Sequence, residues 1–198
     1  MLPFSAACER NKEPILEVLR SRFAGRNVVL EIGSGTGQHA VHFARALGFL
    51  AWYPTEQLGY LADLTERVKL EGPENLRLPT LLDVRQAVWP LRTVDAMFTA
   101  NTLHIMSWPE VTALFRGSSS VMVPGGVLCV YGPFRYGGRY TSDSNLEFDR
   151  MLQERDPQSG LRDLDAITAL GEQYGMRLDA DHDLPANNRL VVFIKEPG

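Results

Sequence analysis

The sequence is poor in the residues that build disulfide frameworks, metal centres and membrane spans. It has two cysteines, Cys8 and Cys129, and four histidines among 198 residues. Two lone cysteines do not make a disulfide framework, and the scattered histidines show no metal-ligand spacing. No apolar run approaches the roughly 18 residues of a membrane-spanning helix, and the N-terminus lacks a signal-peptide pattern. We therefore expect a cytoplasmic protein with no bound metal and no membrane partner.

An excess of positive charge is also missing. The chain carries 20 basic and 24 acidic residues, a net charge of −4. Proteins that bind nucleic acid neutralise phosphates with lysine and arginine, so a nucleic-acid partner is disfavoured. The 44% hydrophobic and 22% charged residues are ordinary for a globular protein, and the length predicts one domain over residues 1–198. The oligomeric state is left open.

Segments with strand and helix patterns alternate along the chain. Predicted helices begin at Pro14, after Gly37, and over 57–70 and 109–121; predicted strands cover 28–32, 49–53, 76–82, 94–100 and 127–131. This alternation predicts parallel strands joined by crossover helices. The last two strands, 176–181 and 190–195, are separated by turn-forming residues 184–188 and should form an antiparallel hairpin. The expected fold class is α/β, a Rossmann-like, mostly parallel sheet with a C-terminal antiparallel hairpin.

Two segments stand apart from this pattern. Residues 1–25 form an N-terminal cap with its helix, which Gly25 ends. Residues 134–160 are the least regular stretch, with a short helix predicted over 145–155. An insertion of this length after a strand is a plausible lid.

The run Gly33-Ser34-Gly35-Thr36-Gly37 follows a predicted strand and precedes a predicted helix. Glycines allow a sharp turn and let a ligand touch the backbone, and the next helix points its free N–H groups at the same place. The dinucleotide pattern G-x-G-x-x-G fails from Gly33, because Gln38 occupies the third glycine position. From Gly35 it is met only with Ala40 as a tolerated variant. A Walker-type phosphate loop is excluded, because no Gly-Lys-Ser/Thr follows.

Val28 to Gly37 resembles the first motif of class I methyltransferases that use S-adenosylmethionine (SAM). The resemblance extends to Glu56, Asp83, Asn101 and the turn at Pro124-Gly125-Gly126. Further segments resemble the narrower methyltransferase-like protein 26 family: Arg10-Asn11-Lys12, Trp52-Tyr53-Pro54, Asn101 with His104-Ile105, Thr141-Ser142 with Asn145, and Pro185-Ala186-Asn187-Asn188. The resemblance implies a seven-stranded class I methyltransferase fold, with SAM as cofactor and S-adenosylhomocysteine as product.

The same resemblance implies which residues bind the cofactor. The loop residues Gly33, Ser34, Gly35 and Gly37 would contact it through the backbone. Glu56 would accept both ribose hydroxyls, and Asp83, with Val84 beside it, would meet the adenine. Glu31 would orient the loop and the methionine end, and a wholly structural role is its alternative. Glu56 and Asp83 could instead be solvated acids.

Catalysis is expected at Asn101 and His104, beyond the carboxyl end of the fourth strand, where ligands of open α/β sheets sit. His104 could act as a general base, or it could simply pack within the loop. Tyr131, Arg10 and Asn11 are expected to line the substrate pocket. Tyr131 could instead be a core residue, and Arg10 and Asn11 could be solvated or could cover the cofactor carboxylate.

These features predict a SAM-dependent methyltransferase acting on a small molecule by in-line methyl transfer; a protein acceptor remains open. A SAM-binding protein without transferase activity is the main alternative, and an NAD-dependent oxidoreductase is a weaker one. A nucleic-acid methyltransferase is disfavoured, because Thr102-Leu103 follows Asn101 where such enzymes carry Pro-Pro and an aromatic residue.

Overall fold

A computed structural model describes residues 2–197; Met1 and Gly198, the ends of the predicted domain, lie outside the described residues. The helices are α1 (Ala6–Arg22), α2 (Gln38–Ala46), α3 (Leu58–Glu71), α4 (Trp108–Val121), α5 (Asp143–Arg155) and α6 (Leu164–Gln173). The strands are β1 (Val28–Ile32), β2 (Ala51–Glu56), β3 (Thr80–Leu81), β4 (Val94–Ala100), β5 (Met122–Gly132), β6 (Phe134–Tyr136), β7 (Arg139–Tyr140), β8 (Arg162–Asp163), β9 (Met176–Leu184) and β10 (Asn188–Lys195).

Seven strands form the main sheet in the order β3-β2-β1-β4-β5-β10-β9. The first five in that order are parallel, and β10 runs antiparallel to both β5 and β9. The predicted α/β class and the antiparallel C-terminal hairpin are therefore confirmed. Within the described residues, no helix is both long and apolar enough to cross a membrane.

Alternating side chains of the strands supply a core on each face of the sheet. On one face Val29 and Trp52 pack with α1, α2 and α3. On the other face Leu30 and Met97 pack with α4 and α6. This follows from the two-residue period of a strand, which sends neighbouring side chains to opposite faces. Both faces of the parallel part are covered, so its carboxyl edge is the place where a ligand can reach the sheet.

The first helix differs from the prediction, because it begins at Ala6 rather than at Pro14. Ser5 caps it by accepting a hydrogen bond from the Cys8 N–H at 3.3 Å. Pro14 therefore lies inside α1, where its missing N–H cannot donate to the Arg10 carbonyl one turn before it. The prediction relied on the preference of proline for a first turn and gave no weight to the serine cap.

The second and third strands also differ from their predicted bounds. β2 continues through Pro54 to Glu56, although proline cannot donate a ladder hydrogen bond. The Pro54 nitrogen faces the β3 side, as the Trp52 N–H does in its bond to Asn75. Along that side β3 spans only Thr80–Leu81, so no hydrogen bond is lost at Pro54.

The segment after β5 is more regular than expected. Strand β6 pairs with β7 and β8 in a separate three-stranded sheet, and α5 covers 143–155. The sequence patterns did not predict α6, which packs Ile167 into the core.

Candidate functional site

The glycine loop joins β1 to α2 at the carboxyl edge of the sheet. Gly37, the N-cap of α2, has a φ of 77°, and a Cβ built there would lie 2.7 Å from Cδ1 of Leu64. Gly35 has a φ of 55°, and a Cβ there would meet nothing within 4 Å. Left-handed backbone and close packing explain the glycines, and the open side of Gly35 leaves the loop backbone accessible to a ligand.

Glu56, the last residue of β2, is fixed beside this loop. One carboxylate oxygen accepts the Gly35 N–H at 2.7 Å, and the other accepts the Gln57 N–H at 2.7 Å. The residue is only 9% exposed. A carboxylate has about four lone-pair sites, so each oxygen can still accept one hydrogen bond from a ligand. This geometry suits a pair of neighbouring hydroxyl groups.

A cavity of about 420 Å³, here called the first cavity, lies at this edge. Its volume is within the range of roughly 300–1,000 Å³ found for small-molecule sites. Five residues predicted from the sequence line it: Gly33, Gly35, Glu56, Val84 and Asn101. The other lining residues are Ile32, Gln57, Leu82, Ala100, Thr102, Ile105, Met106, Glu110 and Asp156.

Four other predicted cofactor residues do not line the first cavity: Ser34, Gly37, Asp83 and Glu31. Arg85 binds the Asp83 carboxylate through two nitrogens, at 2.6 Å for the shortest contact, and its hydrogen bonds lower the pKa of Asp83. The Ser34 hydroxyl is buried without a hydrogen-bond partner among residues 2–197, and Gly37 packs on α3. The Asp83–Arg85 pair uses part of the hydrogen-bonding capacity that Asp83 would offer to an adenine.

Glu31 lies behind the glycine loop and is only 2% exposed. Its carboxylate accepts a hydrogen bond from the Trp52 indole nitrogen at 2.7 Å. Burial, with a smaller contribution from the nearby charge of Glu56, raises the pKa of Glu31 to about 7 against the lowering effect of the Trp52 bond. Because Glu31 does not line the first cavity, the geometry favours its structural alternative.

Asn101 links the first cavity to the next strand. It has a left-handed φ of 56°, a conformation that asparagine tolerates better than most residues. Its N–H donates to the Tyr131 carbonyl at 2.9 Å, which joins the carboxyl end of β4 to that of β5. Asn101 is thus placed where the resemblance predicted it.

His104 is buried away from this cavity. Its ring packs edge-on against Phe148 of α5, with centroids 5.3 Å apart, and the residue is 6% exposed. Burial, followed by the charge of Arg162, lowers its pKa to about 4. The packed-loop alternative fits this placement. A catalytic role for His104 stays a prediction to which the geometry adds no support.

The loop after β4 is braced by the segment 159–162. Arg162 donates to the carbonyls of Leu103, at 2.9 Å, and Met106, and Gly160 donates to that of His104 at 2.9 Å. Ser159 donates to the carbonyl of Ile105 at 3.1 Å. The end of the predicted lid segment therefore supports a wall of the first cavity.

Sequence reasoning missed two acids that line the first cavity, Glu110 and Asp156. Glu110 had a detectable pattern, because Ser107 and Glu110 form a capping box at the start of α4. Asp156 follows α5, far from the glycine loop in sequence, and no local pattern connects the two. Among residues 2–197, no group of His, Cys, Asp or Glu has the arrangement of a metal site.

A second cavity of about 380 Å³ contains all three residues predicted for the substrate pocket, Arg10, Asn11 and Tyr131. It is completed by Ala7, Pro185, Ala186 and Asn188. Asn11 is oriented by His39, whose Nε2 lies 2.7 Å from the Asn11 Oδ1. Burial lowers the pKa of His39 to about 4, so the ring is neutral at pH 7. Because the Asn11 Oδ1 can only accept, this contact assigns the single ring proton to Nε2.

Comparison with protein families gives a match over nearly the whole chain. Residues 2–195 match the family described as "Protein of unknown function (DUF938)". The chain belongs to this DUF938 family. The narrower resemblance to methyltransferase-like protein 26 stays a prediction.

Several solved structures of methyltransferases share the fold of this DUF938 chain. The apo form of the SAM-dependent methyltransferase SibL superposes with a TM-score of 0.81 at 20% identity, over 97% of this chain and 56% of that one. For the mitomycin 7-O-methyltransferase MmcR the TM-score is 0.80 at 19% identity, over 96% and 55%. For human N-acetylserotonin methyltransferase, solved in complex with SAM, it is 0.81 at 15% identity, over 96% and 53%.

The chain therefore spans slightly more than half the length of these proteins. At such identities the likeness concerns the fold alone, and it confirms the predicted class I methyltransferase fold.

Proposed function

We propose that this protein is a SAM-dependent methyltransferase that acts on a small molecule in the cytoplasm. The observation that carries the proposal is the Glu56 carboxylate, held by the Gly35 and Gln57 N–H groups at the wall of the first cavity. Its free lone pairs suit the two hydroxyls of a ribose. The accessible loop backbone beside it suits the methionine end of the same ligand.

The charges of the first cavity favour SAM over a dinucleotide. Its lining includes the acids Glu56, Glu110 and Asp156, and no lysine or arginine of the described chain is part of it. A sulfonium and an ammonium group are favoured by such surroundings, whereas the pyrophosphate of NAD would meet three carboxylates. Arg85, 3.9 Å from Glu110, is outside the lining of the cavity. This argues against the NAD-dependent oxidoreductase alternative.

The remaining walls fit the rest of the cofactor. Leu82, Val84 and Ile105 supply apolar contacts for an adenine ring, and Asn101 offers a polar side chain at the end of β4. When bound, SAM would supply a methyl group on a sulfonium that is already activated for in-line displacement. The chain's own task is then to position an acceptor and to exclude water.

The position of His104 is also compatible with a SAM-binding protein that has no transferase activity. His104, the histidine predicted as a base, lines neither cavity. An acceptor atom that is nucleophilic without a base would need positioning only, so this placement is compatible with both candidates.

A turnover experiment distinguishes the two. The purified protein would be incubated with methyl-labelled SAM and a fractionated metabolite extract, beside Glu56→Gln and the exposed control Glu66→Gln. We expect label in a small-molecule fraction with the wild type and the control, and a strong loss with Glu56→Gln. If the protein binds SAM but transfers its labelled methyl group neither to a metabolite fraction nor to an added protein, the binding-only alternative is supported.

A further inference from the structure

Four segments that are distant in the sequence meet around the second cavity. Its lining comes from the first half of α1, from Tyr131 at the end of β5, and from the turn between β9 and β10. The fourth segment, at the start of α5, holds that turn: Asn145 donates to the Asn187 carbonyl at 3.2 Å and to the Thr141 hydroxyl at 2.8 Å. The first cavity uses none of these residues.

The turn is held in a strained form where it lines the cavity. Ala186 has a φ of 61° and Asn187 a φ of 56°. Left-handed backbone costs an alanine roughly 1–2 kcal/mol, and such strain persists only where the surroundings impose it. Asn188 adds hydrogen bonds to the carbonyls of Pro185 and Ala186, at 3.3 and 3.2 Å. These bonds fix the exposed turn at the rim of the cavity.

The cavity combines an apolar wall with hydrogen-bond donors. Ala7, Pro185 and Ala186 present apolar surface, and the Tyr131 ring, 3% exposed, closes one side. The Oδ1 of Asn11 is taken by His39, and one amide N–H faces the Tyr131 hydroxyl, whose pKa is raised by burial and lowered in part by this hydrogen bond. The second amide N–H of Asn11 is left for another partner. An occupant of matching shape would have an apolar body and a group that accepts hydrogen bonds.

Arg10 makes the second cavity opposite in charge to the first. No acid is among the lining residues, and no ion pair of Arg10 is found within residues 2–197. Its neighbours on α1 do find partners: Lys12 binds Glu9 at 2.5 Å, and Glu13 lies 3.3 Å from His42. A planar guanidinium without a carboxylate partner suits bidentate binding of a carboxylate or phosphate.

The two cavities are neighbours along the carboxyl edge of the sheet. Asn101 lines the first and Tyr131 lines the second, and the Asn101 N–H binds the Tyr131 carbonyl at 2.9 Å. Adjacent strands lie about 4.8 Å apart, so the two cavities have lining residues at neighbouring positions of this edge.

We propose that the second cavity binds the methyl acceptor, and that the acceptor is a small molecule with an apolar body and an anionic oxygen group, a carboxylate or a phosphate, bound by Arg10 and Asn11. This inference rests on the proposed function and adds the chemical class of the acceptor to it.

Ligand-observed NMR with three probes of similar size tests this directly: phenylacetate, phenyl phosphate and the neutral phenylacetamide. Each would be titrated into the wild type with and without S-adenosylhomocysteine. We expect at least one anion to bind roughly tenfold more tightly than the amide, and the better anion identifies the carboxylate or the phosphate as the group recognised. Arg10→Gln should lower that affinity roughly tenfold, the size expected for a charge-assisted hydrogen bond. Arg20→Gln, an exposed change on the same helix, should not.

Several results would overturn the inference: equal binding of the amide, no binding of any probe, or no effect of Arg10→Gln. It would also fail if Arg10→Gln weakened S-adenosylhomocysteine but not 5′-methylthioadenosine, because Arg10 would then hold the cofactor carboxylate. A wild type that does not bind S-adenosylhomocysteine would instead refute the proposed function. The titrations without that ligand would still decide whether the cavity recognises anions.

Discussion

Replacing Glu31 with glutamine should change how the stability of the protein depends on pH. The pKa of Glu31 is about 7 in the folded protein, against a usual value of 4.5, chiefly because the side chain is buried. Between pH 4.5 and about pH 7, Glu31 is therefore protonated in the folded state and ionised in the unfolded state. The stabilising contribution is fully present below about pH 4.5 and is lost as pH rises through about 7.

The gap between the two pKa values sets the expected size of the effect. At roughly 1.36 kcal/mol per pKa unit, it corresponds to about 3 kcal/mol. Glutamine stays neutral and can still accept the Trp52 indole hydrogen bond through its carbonyl oxygen. Relative to the wild type, Glu31→Gln should therefore gain up to about 3 kcal/mol in free energy of unfolding between pH 4.5 and pH 8.

Urea unfolding of both proteins across this pH range measures the difference. Glu17→Gln, an exposed change on α1, serves as the matched control and should follow the wild-type curve. If Glu31→Gln and the wild type lose stability in parallel from pH 4.5 to pH 8, the carboxyl is not held protonated by burial, and the reasoning fails.

Three further changes test other parts of the structure. Glu56→Gln should weaken S-adenosylhomocysteine binding by roughly 10- to 150-fold in calorimetry, from the loss of charge-assisted hydrogen bonds; unchanged affinity would mean that another group holds the ribose. His104→Ala should lower stability by about 1–3 kcal/mol through lost packing on Phe148. Burial depresses the His104 pKa, so the contribution of this histidine to stability is present above about pH 6.5 and is lost as pH falls through about 4. The free energy of unfolding of the variant should therefore fall less steeply than that of the wild type between these pH values. The same steepness in both proteins would contradict the burial argument. Ala186→Gly should raise the free energy of unfolding by about 0.5–1 kcal/mol by relieving left-handed strain. A loss of stability would show that the contacts of the Ala186 methyl group stabilise the fold by more than the left-handed backbone costs.

Local patterns predicted the features that depend on local chain geometry. The glycine loop and the acid at the end of β2 could be found because a strand, a turn and a helix follow one another within the segment 28–56. The antiparallel hairpin followed from two strand patterns separated by a short turn. These elements place Gly35 and Glu56 together without help from the rest of the chain.

Features that depend on distant packing could not be predicted. His104 lies at the expected edge of the sheet, but α5 places Phe148 against its ring and buries it. Asp83 lies where the resemblance predicted it, yet the neighbouring Arg85 occupies its carboxylate. Pro54 is tolerated in β2 only because the strand beside it is so short. Asp156 lies at the first cavity because of the way the segment 134–163 folds, and that segment has no repeating sequence pattern from which this position could be predicted.

Thermal unfolding with added nucleotides is the most direct test of the central claim, that the first cavity is a SAM site. At ~100 times its dissociation constant, a ligand that binds only the folded state adds about 2.7 kcal/mol, or several degrees in melting temperature for a protein of this size. We predict such a rise with SAM and S-adenosylhomocysteine, and none with NAD or ATP, which would place phosphates among Glu56, Glu110 and Asp156. A rise with NAD, or no rise with millimolar SAM in protein verified by mass spectrometry to be free of co-purified ligand, would contradict it.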